Sequence, residues 1–318
     1  MSAPDHVTTE LRFGSLLACY QPIRFDFGVI EPLHDKATAE AKASQGFNAD
    51  GHIYPPMMAS YRGWPGEPPK PEDLVPGSER PASAFRVPAT HKMTWSGPAF
   101  DKYRHLPSIA IQLLGNWHGV TLQFEDWWSF RRMRWKVSKI FLGPGPDQQE
   151  AFAVAVRNAA TFSADNQKRL LSLLSLLNAV ETFEMEWESF AWAYTCIDAA
   201  WKILTDLGTI DGSGRRIVPH AERIKVLCTS LGIPLDESTI ERAVRLRNDL
   251  LHEARWDGSL PGEGSQSTEA FLTSYELQRL ATRLVFFILG VDCEFRTTHW
   301  NHASDFGGVH SLGLRRPA

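Results

Sequence analysis

Cysteine is scarce: only four occur in 318 residues, at positions 19, 196, 228 and 293. No two of them form a Cys-x-x-Cys pair, so neither a disulfide framework nor a zinc ribbon can be built from them, and a reducing, cytoplasmic setting is expected. Long hydrophobic runs are missing as well. The longest late run, Leu284 to Leu289, falls far below the roughly 20 apolar residues that cross a bilayer. The opening MSAPDHVTTELRFG holds no secretory apolar stretch, so neither export nor membrane insertion is expected. Positive charge is not in excess. Against 37 Asp and Glu stand 33 Lys and Arg, for a net charge of −4, which excludes a global polyanion binder and makes any nucleic-acid contact local. There is no Gly-rich phosphate loop, no Gly-x-Ser-x-Gly and no paired acidic motif of a metal nuclease, so neither a cofactor nor a metal is expected.

What is present suits a globular chain long enough for two domains, with 43% hydrophobic and 22% charged residues. Eleven Trp and 18 Phe supply a large aromatic payload for a core or an interface. The composition shifts near Gly143-Pro144-Gly145-Pro146, a Pro/Gly punctuation that marks a domain boundary. Before it, segments such as 24–29 and 120–125 alternate apolar and polar residues as strands do. Ile109–Leu114 and Val120–Phe124 read as a hairpin. Half of the 20 prolines fall between Pro55 and Pro98, a stretch expected to be a long irregular loop. The fold class is therefore α+β, with a β-rich domain over 1–143, a helical domain over 147–292 and a flexible tail over 293–318.

The helical half divides into helices at 147–161, 164–180, 181–207, 220–231, 237–256 and 268–289. Ser163 is the expected cap of the second. Along the third, Phe183, Trp187, Phe190, Tyr194, Ile197, Trp201 and Leu204 form one stripe, and Met185, Trp192, Cys196 and Ile203 form another. A helix apolar on two sides is either central in a bundle or covered by a partner subunit.

The fifth helix carries the oddest residue. Ile240, Ala243, Val244, Leu250, Leu251 and Ala254 define one stripe at about 100° per residue, and Arg247 falls at its centre. A guanidinium there is costly unless it is paired or opens into a polar cleft. His252 lies near the end of the same helix, expected at Gly258, with Asn248 one turn before it.

The string Arg247-Asn248-Asp249-Leu250-Leu251-His252 resembles the signature of HEPN domains, all-helical modules whose motif is Arg, four to six residues, then His, with a polar residue after the Arg. Other pairs, such as Arg86 and His91 or Arg296 and His302, share the spacing. Only 247–252 sits late in a helix of a helical set, preceded by a long helix with a polar residue, Asp198, near its inner stripe. Roughly 165–290 carries the resemblance; 1–143 is similar in architecture alone to the β-rich domain of ApeA-like phage-defence proteins.

That resemblance implies metal-independent RNA cleavage between two protomers, with Arg247, His252, Asn248 and Asp198 as the catalytic set. His252 would move the proton of the ribose 2′-hydroxyl or of the leaving oxygen, and Arg247 would hold the scissile phosphate. Asn248 would orient either, and Asp198 would fix Arg247 unless it pairs with Lys202 on its own helix. On an ideal helix Arg247 and His252 point about 140° apart. They meet only if the helix end distorts, the arginine curls round, or two motifs face each other across a dimer. The expected partners are RNA, a second copy through the aromatic helices, and an antitoxin or trigger protein. The rival readings are a non-catalytic HEPN-like module that binds RNA, nucleotide or protein, and a scaffold subunit.

One further cluster, residues 127–139, reads as a strand with Arg132, Arg134 and Lys136 on one face. That face is either an RNA-backbone contact or a solvated surface. His299, His302 and His310 with Cys293 match no common zinc spacing.

Overall fold

Alternation decides the sheet. From His91 to Pro98, buried His91, Met93, Trp95 and Gly97 alternate with half-buried neighbours, the period of two that a half-buried strand requires. The computed structural model describes residues 6–14, 21–35, 37–39, 41, 52–53, 59–61, 74–76, 88–100, 104–127, 133–134, 146–180, 185–211, 219–261 and 267–297. Its strands are β1 His6–Gly14, β2 Ile23–Phe25, β3 Gly28–Pro32, β4 His52–Ile53, β5 Ala59–Tyr61, β6 Leu74–Pro76, β7 His91–Pro98, β8 Gln123–Phe124 and β9 Met133–Arg134. Five of them form one antiparallel sheet in the order β2-β3-β7-β1-β8, with β7 at its centre. Leu11 stands opposite Met93, and Gly28 opposite Trp95. Gly28 has φ +147°, and a Cβ there would lie 1.9 Å from the Thr94 carbonyl oxygen. Only glycine lets β3 approach β7 this closely.

Three expectations change here. Residues 24–29 are two strands joined by a turn at Asp26 and Phe27 rather than one strand. The Pro-rich stretch 55–98 ends in the central strand β7. Residues 109–114 are not a hairpin strand but part of helix α1, His105–His118. In α1, Leu106, Ile109, Ala110, Ile111, Leu113, Leu114 and Trp117 are all buried, and such an apolar run has no period that separates a buried helix from a buried strand.

The second half is helical: α2 Pro146–Ala160, α3 Ala164–Val180, α4 Glu186–Asp206, α5 His220–Leu231, α6 Glu237–Glu253 and α7 Thr268–Ile288, then a 3-10 turn at Glu294–Arg296. Ser163 Oγ accepts from the backbone N–H of Asn166 at 3.3 Å, as its place before α3 predicts. α4 is the central helix and packs against α3, α5, α6 and α7. Phe190, Tyr194, Ile197 and Leu204 from one stripe and Cys196 and Ile203 from the other are buried together, so the bundle itself covers most of the surface that a partner was expected to cover. Met185 and Trp192 remain 40% and 37% exposed. Phe183 lies outside the described residues.

The architecture is α+β. The chain separates into two compact units, residues 1–102 with 111–140, and 103–110 with 141–318. The first residues of the expected tail are packed: Cys293 and Phe295 are buried, and the Arg283 Nε donates to the Phe295 carbonyl at 3.0 Å; residues 298–318 lie outside the described residues. Cys196, Cys228 and Cys293 are buried free thiols. Among the described residues no helix is long and apolar enough to cross a membrane.

Two histidines of the sheet unit are buried. His91 stacks on Phe13 and shares a 3.0 Å hydrogen bond between its Nδ1 and Thr90 Oγ1. Burial lowers His91 and His118 from 6.5 to about 4, and for His91 the charge of His118 adds to the effect. Each depressed value means that the unfolded chain binds the extra proton first, so stability is intact above pH 6.5 and is lost as pH falls from 6.5 towards 4. The loss is roughly 3 kcal/mol per histidine once both states are protonated. Urea unfolding at pH 7.5 and pH 4.5, compared between the natural chain and a His118→Gln variant, is predicted to show a shallower acid loss in the variant.

Candidate functional site

α6 is built to present its last turns. Thr239, Ile240, Ala243 and Leu246 face inward, which rotates the buried stripe away from the one expected. Arg247 therefore sits at the edge of that stripe, half-buried, while Leu251 is 60% exposed and Ala254 is exposed. The sequence stripe had counted Leu251 and Ala254 as core and passed over Leu246.

The helix ends at Ala254, not at Gly258. Ala254 takes a left-handed conformation with φ 53°, and its N–H and that of Arg255 both reach back to the Asp249 carbonyl, closing the last turn as left-handed caps do. Trp256 then anchors the exit. It is 1% exposed, packs on Phe190 of α4 with ring centroids 4.9 Å apart, and exchanges backbone hydrogen bonds with Ser259. Asp257 Oδ2 accepts the N–H of Ser267, the cap of α7, at 2.9 Å. The end of α6 that carries His252 is thus tied to two other helices.

Within one protomer the Arg247 Nη1 amino group lies 3.1 Å from Asn248 Oδ1 and 3.2 Å from His252 Nε2. The arginine curls along its own helix to bridge the angular gap. A guanidinium has no acceptor, so the contact is a hydrogen bond only in the form of His252 whose Nε2 carries a lone pair and whose hydrogen is on Nδ1. Nη1 thereby uses both of its hydrogens. Nε and Nη2 of Arg247, the edge that binds an oxyanion with two parallel hydrogen bonds, have no hydrogen-bond partner among the described residues.

Asp198 does not fix Arg247. Its Oδ1 accepts from Arg223 Nη1 at 2.8 Å, and His220 Nδ1 lies 3.3 Å from its Oδ2, near enough for an ion pair but out of line for a hydrogen bond. Lys202 does not take it either, pairing instead with Asp206. Both partners of the carboxylate come from the first turn of α5. Tyr194 stands one turn before Asp198 on α4. Its ring meets the His220 ring edge-on at 5.7 Å, and its hydroxyl is buried with no hydrogen-bond partner. Burial, then the charge of Asp198, pushes its hydroxyl up to about 12, while Arg247 and Arg223 pull the other way.

The structure brings together Arg247, Asn248 and His252, while Asp198 belongs to a separate group with Tyr194, His220 and Arg223. The sequence reading did not assign those three to the site. The available signal was the single-turn spacing of Tyr194 and Asp198, which puts both on one face. Of the basic strand, Arg134 is placed only by backbone pairing with His52; Arg132 and Lys136 lie outside the described residues, as do His299, His302 and His310. Among the described residues no cluster of three or more His, Cys, Asp and Glu is arranged to hold a metal. A cavity of about 560 Å³ at the junction of α5 and α6, lined by Lys225, Cys228, Ile233, Glu237 and Ile240 among others, includes none of the Arg247 group.

Comparison with protein-family models, with curated proteins and with solved structures finds no match in any of the three.

Removing the anchor tests how the site is held. Trp256→Ala is predicted to cost about 3–5 kcal/mol in denaturant unfolding, whereas Leu251→Ala, which strips an exposed side chain, is predicted to change stability by less than ~0.5 kcal/mol.

Proposed function

We propose that the protein is a metal-independent endoribonuclease of the HEPN type, working as a toxin or phage-defence effector. The observation that carries this reading is the 3.2 Å contact between Arg247 and His252 on an open helix end, with Asn248 on the same guanidinium. In the proposed reaction the scissile phosphate takes the free Nε/Nη2 edge of Arg247. Arg247 turns towards that charge and releases Nε2 of His252. The imidazole then removes the 2′-hydroxyl proton, the 2′-oxygen attacks phosphorus, and the bond to the 5′-oxygen breaks, that oxygen taking a proton from water, to leave a 2′,3′-cyclic phosphate and a 5′-hydroxyl. Arg247 neutralises the charge that builds on the phosphoryl oxygens. Asn248 is a positioning residue, since its Oδ1 holds the guanidinium.

This differs in one respect from the arrangement the resemblance implies. Arg247 and His252 meet inside a single protomer, so a homodimer would offer RNA two complete pairs rather than assemble one. The β-rich domain is proposed to sense a trigger or to restrain the active motifs.

Purified protein incubated with mixed RNA in EDTA is predicted to generate fragments ending in cyclic phosphate. Arg247→Ala and His252→Ala are each predicted to slow this by at least ~100-fold with melting temperatures unchanged. Full cleavage by a folded His252→Ala protein would contradict the assignment. Binding of RNA without cleavage by the natural chain would favour a non-catalytic module.

A further inference from the structure

A site that gripped only the scissile phosphate would cut a dinucleotide as readily as a longer strand. We infer that Arg245 holds a second phosphate of the same strand, next to the scissile one, so that the preferred substrate is RNA carrying a flanking phosphate; this rests on the ribonuclease reading above.

Arg245, Asn248 and His252 share one face of α6. At about 100° per residue they fall within about 60° of one another over two turns of the helix, and all three are exposed. Arg247 leaves the helix about 160° away from Arg245. Its Nη1 nevertheless lies 3.1 Å from Asn248 Oδ1 and 3.2 Å from His252 Nε2, so its guanidinium has been carried round towards the face that Arg245 occupies. Two arginines thus serve one face from opposite ends. Arg247 reaches towards His252 at the C-terminal end, whereas a helical side chain ordinarily leans towards the N-terminus, the direction open to Arg245.

Arg245 is also uncommitted. Glu241 and Asp249, four residues before and after it, are spaced to pair with it, yet among the described residues Arg245 makes no ion pair and no hydrogen bond. Its charge and its planar fork of donors are therefore open to an incoming oxyanion. The two carboxylates bound the path instead. Glu241 is exposed one turn beyond Arg245 on the same stripe, and half-buried Asp249 borders it, and negative charge at both places repels a strand. The face accommodates one phosphate beyond the scissile one and then closes.

A phosphate offers the same chemistry on either side of the scissile bond, so the experiment has an arm for each. Initial rates are measured on a plain dinucleotide and on the same dinucleotide bearing a 5′- or a 3′-terminal phosphate, for the full-length chain, Arg245→Gln and Arg245→Lys, with circular dichroism and melting as folding controls. The natural chain is predicted to cut one of the two phosphate-bearing forms with a kcat/KM ~10-fold above that of the plain one. In Arg245→Gln that preference is predicted to fall below about twofold, through KM rather than kcat, and Arg245→Lys is predicted to retain part of it. On 2′-O-methyl RNA, which binds but cannot be cut, Arg245→Gln is predicted to flatten the dependence of log affinity on log salt by about 0.7. A folded Arg245→Gln protein that keeps both the preference and the salt dependence, or a natural chain that cuts all three dinucleotides equally, would overturn the second phosphate position and leave the nuclease reading standing. Failure of the natural chain to cut any RNA would overturn both.

Discussion

Asp198 offers one carboxylate, and the start of α5 takes it through Arg223 and His220. The remainder of the site follows from that allocation. Had the carboxylate gone to Arg247, the guanidinium would be sealed in an ion pair and drawn back towards α4, away from His252. Arg247 bonds an amide and an imidazole and no carboxylate, partners that leave its positive charge uncompensated. A charge in that state attracts an anion far more strongly than one already paired.

Around this allocation the bundle supplies rigidity rather than chemistry. α4 buries Phe190, Tyr194, Cys196, Ile197, Ile203 and Leu204 and so fixes the turn that carries Asp198. α6 buries its earlier turns and lets the last ones project. The projecting end would fray if left alone, since helix termini lack backbone partners. Trp256 prevents this by filling a fully buried position against Phe190 only four residues after His252. An exposed imidazole on a tethered helix end combines access with a defined position, which loops alone seldom give.

The helical half was readable because its apolar periods are long and its punctuation clear: Ser163 and the limits of α5 both fall where the sequence puts them. The sheet was read less well. The strand β7 hides at the end of a proline-dense stretch, and α1 is apolar on so many sides that its period carries no information. At the site, Arg247, Asn248 and His252 were legible as a motif, but their meeting depends on an arginine rotamer that no spacing encodes. The partners of Asp198 come from 22 and 25 positions further along, across an interhelical packing that the sequence does not specify. Arg132 and Lys136 were legible only as a charge pattern and lie outside the described residues.

The central claim is that Arg247 donates to Nε2 of His252, and it is most directly tested by long-range nitrogen–proton NMR correlation of histidine-labelled protein. A free imidazole prefers its hydrogen on Nε2. The account predicts that neutral His252 carries it on Nδ1 in the natural chain and reverts to the Nε2–H form in Arg247→Ala. A His252 ring that shows the Nε2–H form in both proteins would contradict it.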